Sequence, residues 1–170
     1  MIIMIKLLKA NIEKRLLSYD DVSFFCFFGR DGVTNNKKEG DWKTPSGTFK
    51  IRKIYYREDK IQKLKGWIEC TPLSINDAWC DDTEKDEYNT FIKLPFSGSY
   101  ENLWREDELY DIIIVIGYND SPVVKDKGSA IFIHLSKENM EYTKGCLAIK
   151  KEDMMSLLQK ITPLTEIEIS

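Results

Sequence analysis

A mainly β fold, a mixed-sheet sandwich or barrel with few helices, is predicted by three features of the sequence. Four stretches, residues 22–28, 48–56, 111–118 and 129–135, are rich in Ile, Val, Phe and Tyr and are bounded by turn clusters. Only residues 151–161 set their apolar side chains, Met154, Leu157, Leu158 and Ile161, at helical spacing, with acids at the start and Lys160 near the end. The length of 170 residues, at about 150 per domain, predicts a single domain over residues 1–170 with room for a proper core.

Taken in order, the opening MIIMIKLLKANIEKRL is apolar but interrupted by Lys6, with no small-residue cleavage site after it. It reads as a first strand and turn, and no signal peptide is recognised. Cys26 lies between Phe24-Phe25 and Phe27-Phe28, which marks it as a core thiol. Residues 29–47 carry Gly29, Gly32, Gly40, Pro45 and Gly47 and form a long loop. Residues 48–56 mix Phe49, Ile51 and Ile54 with Lys50, Arg52 and Lys53, a strand with one wet face. Polar loops follow at residues 76–89 and 97–108. Ile112-Ile113-Ile114-Val115-Ile116 is continuously apolar, as a central strand covered on both faces must be. Pro163 ends the helix, and Glu166–Ile169 alternates as a last strand.

Composition excludes several classes. Hydrophobic residues at 42% and charged residues at 31% exclude a disordered chain. The 25 basic and 28 acidic residues leave a net charge of −3, which gives a phosphate backbone no broad electrostatic footing, so no nucleic-acid partner is expected. No apolar run approaches the ~20 residues of a spanning helix. Cys26, Cys70, Cys80 and Cys146 form no C-x-x-C pair, and His134 is the single histidine, so neither a structural zinc site nor any metal or cofactor is expected. Spacing leaves the disulfide state of Cys70 and Cys80 open. Asp81 and Asp82 point apart on extended chain and read as a solvated loop.

Chemistry concentrates between Gly128 and Ile149. His134 ends an apolar strand, and Cys146 follows Gly145 after a polar loop. A thiol with pKa near ~8.5 needs an adjacent base or cation to act as a nucleophile at neutral pH, and only His134 can be that base. A backbone carbonyl accepting from one ring nitrogen would fix its tautomer. Gly145 would let a substrate carbonyl approach main-chain amides that serve as an oxyanion hole. Tyr118 and Asn119, just past the strand that ends near residue 118, are cleft candidates.

His134 followed by Thr143, Gly145 and Cys146 resembles the signature of the YkuD-type L,D-transpeptidases, a histidine preceding Ser/Thr-x-Gly-Cys. Upstream, residues 39–49 resemble the family's Gly-Asp-x-x-Thr-Pro-x-Gly-x-Phe/Tyr segment at Gly40, Asp41, Thr44, Pro45, Gly47 and Phe49. The middle of the chain is similar to a compact bacterial subgroup lacking a recognisable signal. The resemblance implies a cysteine acyltransferase of the periplasm or cell wall, acting in peptidoglycan biosynthesis and cell shape. Cys146 and His134 are then catalytic, the partners are peptidoglycan stem peptides linked at diaminopimelate, and carbapenems acylate the same thiol. A monomer is expected. Two departures stand out: Lys144 occupies the position before Gly-Cys where many members have His, and Ala148 the position two after the Cys where many have Arg. Only twelve positions separate His134 from Cys146. Lys144 or Arg105 is therefore the candidate partner for a substrate carboxylate, and Thr143 joins the substrate-binding set. The Gly40–Gly47 segment also fits an ordinary β-turn and is assigned no catalytic role.

Two other readings remain. Water in place of the acceptor amine would make the protein an L,D-carboxypeptidase or amidase, which product analysis distinguishes. A wall-binding module would carry an inert thiol, whereas an activated thiolate reacts well below the pH an ordinary thiol requires.

Overall fold

The computed structural model describes residues 6–170, so the part of the expected first strand that falls on residues 1–5 lies outside the described residues. The chain begins with β1 (Leu7–Asn11), β2 (Leu16–Tyr19) and β3 (Val22–Phe25), continues through the two-residue β4 (Val33–Thr34) and β5 (Thr44–Pro45), and enters the long β6 (Gly47–Tyr56). Four short strands follow: β7 (Cys70–Pro72), β8 (Asp77–Cys80), β9 (Phe91–Lys93) and β10 (Tyr100–Asn102). The last part holds β11 (Ile112–Ile116), β12 (Phe132–Leu135), β13 (Leu147–Ile149), helix α1 (Lys151–Leu158) and β14 (Glu166–Ile169).

The main sheet runs β13-β12-β11-β6-β14-β1-β2-β3, with β7 added to β6. It is mixed: β12 and β13 pair in parallel, as do β1 and β14, whereas β11 is antiparallel to both neighbours. Past β3 the chain turns back so that Phe27 exchanges both backbone hydrogen bonds with Ala148 of β13. The first and last strands of the path thereby meet, and the sheet nearly closes on itself. Closure removes the edge that β13 would otherwise present.

All five residues of β11 are buried, as its unbroken apolar run requires. Ile112, Ile114 and Ile116 face the main core, and Ile113 and Val115 face a second cluster with Phe132, Tyr110 and Cys146. Each fully buried Ile contributes about 1.5–3 kcal/mol. In β6 the apolar parity changes from Phe49 and Ile51 to Ile54 and Tyr56. A bulge is the cause: Val115 pairs Lys53 while Ile116 pairs Ile51, so Arg52 is the extra residue. Its guanidinium pairs with Asp120 on the solvent side.

The structure corrects the expectation of loops at residues 76–89 and 97–108. Both contain strands, which with β9 form a small sheet ordered β10-β8-β9. These strands are three or four residues long and lack a readable period. What anchors β8 is polar: buried Asp77 takes hydrogen bonds from the Ser74 backbone and hydroxyl and pairs with Lys93. α1 ends at Leu158, sooner than the helical pattern reaches, yet Ile161 is still buried in the main core. All four cysteines are free, and Cys26 is fully buried in the main core, so the open Cys70–Cys80 question resolves as two thiols.

Candidate active site

The site is assembled where β12 and β13 lie side by side. Their register sets Leu147 beside Ile133 and Ala148 beside His134. Cys146, the residue before β13, therefore reaches Phe132, whose amide donates to its Sγ at 3.4 Å. Side chains two apart on a strand share a face, so Phe132 and His134 project toward the side on which Cys146 sits. Cys146 and His134 line one cavity of about 720 Å³, together with Glu101, Arg105, Tyr110 and Lys144.

The turn carrying Cys146 is built by Thr143. Its hydroxyl donates to the Cys146 carbonyl at 2.6 Å and accepts from the Gly145 amide at 3.1 Å, while its backbone bonds Phe28 and Arg30. Thr143 is buried and lines the cavity, and its hydroxyl shapes the turn. Gly145 has φ +138°, and a Cβ there would stand 2.9 Å from the Lys43 carbonyl oxygen. A side chain is excluded by both conformation and space. The same amide cannot serve an oxyanion while Thr143 holds it; among the described residues no acceptor takes the Cys146 amide, which is left for that task.

His134 is buried, and its Nδ1 lies 2.8 Å from the Leu135 carbonyl oxygen. A carbonyl can only accept, so Nδ1 carries the proton and Nε2 is a free acceptor. The Tyr110 ring meets the imidazole edge-on, with centroids 5.3 Å apart. Burial pushes the imidazole down to about 4 and the Cys146 thiol up to about 12, the latter aided by the Glu101 charge and opposed by Lys37. These surroundings act against the thiolate that the sequence reading expected. At pH 7 both partners are neutral, and the Cys146 thiol donates to the Ala130 carbonyl at 3.1 Å.

Ala130 sits at φ +53°, which costs a residue with a Cβ about 1–2 kcal/mol. Asn89 holds it there. Asn89 Oδ1 accepts from the Ala130 amide and from Trp79 Nε1, and its amide nitrogen donates to the Tyr118 and Asn119 carbonyls. Asn89 thus fixes the carbonyl to which the thiol points, a role that carries no sequence signal of its own.

Among the proposed substrate contacts, Lys144 is exposed at the rim, with Nζ over the Trp42 ring at 5.3 Å and, among the described residues, no carboxylate partner. Arg105 also lines the cavity, but Asp107 occupies its guanidinium with two hydrogen bonds of 2.8 and 2.7 Å. Tyr118 and Asn119 lie outside this cavity. Tyr118 donates to the Lys127 carbonyl and packs edge-on against Phe49, and Asn119 bonds Val124 and Gly128 across its own loop. Both are corrected to loop-forming roles, because nearby backbone groups consume their polar atoms.

The Gly40–Gly47 segment does more than turn the chain. Glu39, Gly40 and Trp42 line the cavity, and the Lys43 carbonyl backs Gly145. Asp41 ties the segment together, accepting from the Lys38 and Lys43 amides and pairing with the buried Lys37 ammonium. At Gly29 a Cβ would lie 2.5 Å from the Trp42 carbonyl oxygen, so the segment packs directly on the chain leaving β3. Among the described residues no cluster of His, Cys, Asp and Glu is arranged to hold a metal ion, and no helix is long and apolar enough to cross a membrane.

Comparison with known proteins places this geometry in context. The family model for the YkuD L,D-transpeptidase catalytic domain matches residues 6–169. The helical cell shape determining protein Pgp2 from Campylobacter jejuni is similar in fold at 14% identity and a TM-score of 0.52, with 98% of this chain covering 47% of that one. A point mutant of the same protein gives 16% identity and 0.51, over 98% and 47%. The carbamoyl enzyme of Ldtfm with avibactam gives 12% identity and 0.49, over 99% and 49%. The chain spans about half the length of these structures. No curated protein matches the sequence significantly.

Proposed function

Since the chain belongs to the YkuD L,D-transpeptidase catalytic-domain family, we propose that it cross-links peptidoglycan stem peptides at the cell wall, with Cys146 as nucleophile and His134 as general base. The observation that carries this reading is the Nδ1–H to Leu135 carbonyl bond, which leaves Nε2 as the unprotonated acceptor on a residue that shares its cavity with Cys146.

Catalysis starts from a neutral pair. As Sγ attacks the stem-peptide carbonyl, the thiol proton passes to His134 Nε2, and the carbonyl electrons move to an oxyanion facing the Cys146 amide. The imidazolium then protonates the leaving amine and a thioester remains. A second stem-peptide amine attacks the thioester carbon, the C–S bond breaks and the thiol is restored. Moving a proton only as the new bond forms avoids charging either buried group beforehand. Lys144 holds a substrate carboxylate, because its ammonium is uncommitted whereas the Arg105 fork is filled by Asp107.

Mass spectrometry of stem peptides incubated with the protein tests the reaction. A cross-linked dimer is the expected product. Hydrolysed donor alone would instead assign an L,D-carboxypeptidase working through the same thioester, and no new product would favour a wall-binding module.

A further inference from the structure

On the transpeptidase reading, the acyl acceptor arrives as an ammonium, and of the three acids that line the cavity, Glu39, Asp81 and Glu101, Glu101 is the one tied through Tyr110 to the His134 ring. We propose that Glu101 is the acceptor-amine site: its carboxylate binds the incoming ammonium beside Cys146 and takes the first of its protons.

Glu101 lies on β10, opposite Trp79 of β8, and its side chain lines the cavity that holds Cys146 and His134. Its Oε1 accepts from the Tyr110 hydroxyl at 2.5 Å. Tyr110 is itself buried with its ring against His134, so the phenol fixes the carboxylate relative to the base. Oε2 has no protein partner, and among the described residues no fully buried side-chain polar atom lacks one, so Oε2 opens into the cavity. Arg105 and Lys37 are paired with Asp107 and Asp41, and Lys144, over the Trp42 ring, has no carboxylate partner among the described residues; the charges of Arg105 and Lys144 reach Glu101, but neither pairs with it directly. Glu101 is half-buried and, among the described residues, takes part in no ion pair.

A carboxylate in this place hinders the first half of the reaction, because its charge raises the Cys146 thiol. Its presence makes sense in the second half. The thioester sulfur is uncharged, so the conflict disappears, and an arriving ammonium supplies a directly paired countercharge. Burial also raises the Glu101 carboxyl above the usual carboxylate range, which suits it to accept a proton. The protons then balance. The ammonium gives one proton to Glu101, which passes it to water. The nitrogen lone pair forms the amide bond as the C–S electrons return to Sγ, and the second proton goes to His134 and from there to the thiolate.

The test uses a diaminopimelate-containing stem tripeptide and the same peptide with its free side-chain amine acetylated. In Glu101→Gln the calorimetric Kd of the free-amine peptide is expected to rise at least tenfold, while the acetylated peptide binds parent and variant alike, which also reports an intact fold. With donor supplied, the variant should acylate Cys146 faster than the parent, because the thiol is relieved of a charge, yet divert thioester from cross-linked to hydrolysed product at least tenfold. Glu101→Asp should recover part of the amine affinity. Equal Kd values for the free-amine peptide in parent and Glu101→Gln would overturn the proposal, whether or not a thioester forms. A parent that binds the amine through Glu101 but never forms a thioester would overturn the transpeptidase reading alone.

Discussion

At the scale of single residues, the proposed chemistry depends on two buried groups that are uncharged at rest. His134→Gln is expected to lower acyl transfer by about 10²–10⁴, read as the rate of dimer formation. The same variant changes the response to acid. Burial holds the folded imidazole at about 4, below its ordinary 6.5. Between those values the unfolded chain binds a proton that the folded chain refuses, so stability falls as pH drops from about 6.5 to about 4, by up to about 3 kcal/mol. Urea titrations at pH 7.5 and 4.5 should show that loss in the parent and a smaller one in His134→Gln; identical losses would contradict a neutral buried imidazole. At the rim, Lys144→Met is expected to raise the stem-peptide KM several-fold with little change in kcat. Arg105→Met should do less, because Asp107 already occupies that guanidinium. An unchanged KM in Lys144→Met would remove the assignment.

Elements, not isolated side chains, bring these groups together. The parallel register of β12 and β13 sets Cys146 against Phe132, and the Thr143-to-Cys146 turn holds it there. Gly145→Ala would require φ +138° of a residue with a Cβ and press that Cβ on the Lys43 carbonyl. A loss of about 2–4 kcal/mol in chemical denaturation is expected, or failure to fold; a variant as stable as the parent would show that the turn can be built another way. Long elements were legible in the sequence because burial on both faces demands an apolar run, as in β11, and a helix demands its own spacing, as in α1. Residues 48–56 read from the sequence as a strand with one wet face, and the bulge within it emerged only with the strand that lies alongside. The strands β8, β9 and β10 were not legible, since three or four residues held by Asp77, Ser74 and Lys93 leave no hydrophobic period to read.

At the scale of the whole molecule, near closure of the sheet puts one strand pair, β12 and β13, between two apolar clusters and opens the cavity beside it. Segments distant in sequence then meet: the Gly40–Gly47 stretch buttresses the cysteine turn, and β10 delivers Glu101 to the cavity that His134 also lines. Cys146 and His134 were legible as candidates because the chain has one histidine and the His134…Thr143-x-Gly145-Cys146 spacing resembles the family signature. The roles of Asn89, Thr143, Tyr118 and Asn119 were not legible, because they depend on which backbone groups fold back within hydrogen-bonding reach. The most direct measurement is the intact mass of the protein after brief incubation with a donor stem peptide, followed by peptide mapping. One acyl group carried on Cys146 is expected, absent in Cys146→Ser and retained in Cys26→Ser, Cys70→Ser and Cys80→Ser. An acyl group on another cysteine, or none while product accumulates, would contradict Cys146 as the nucleophile.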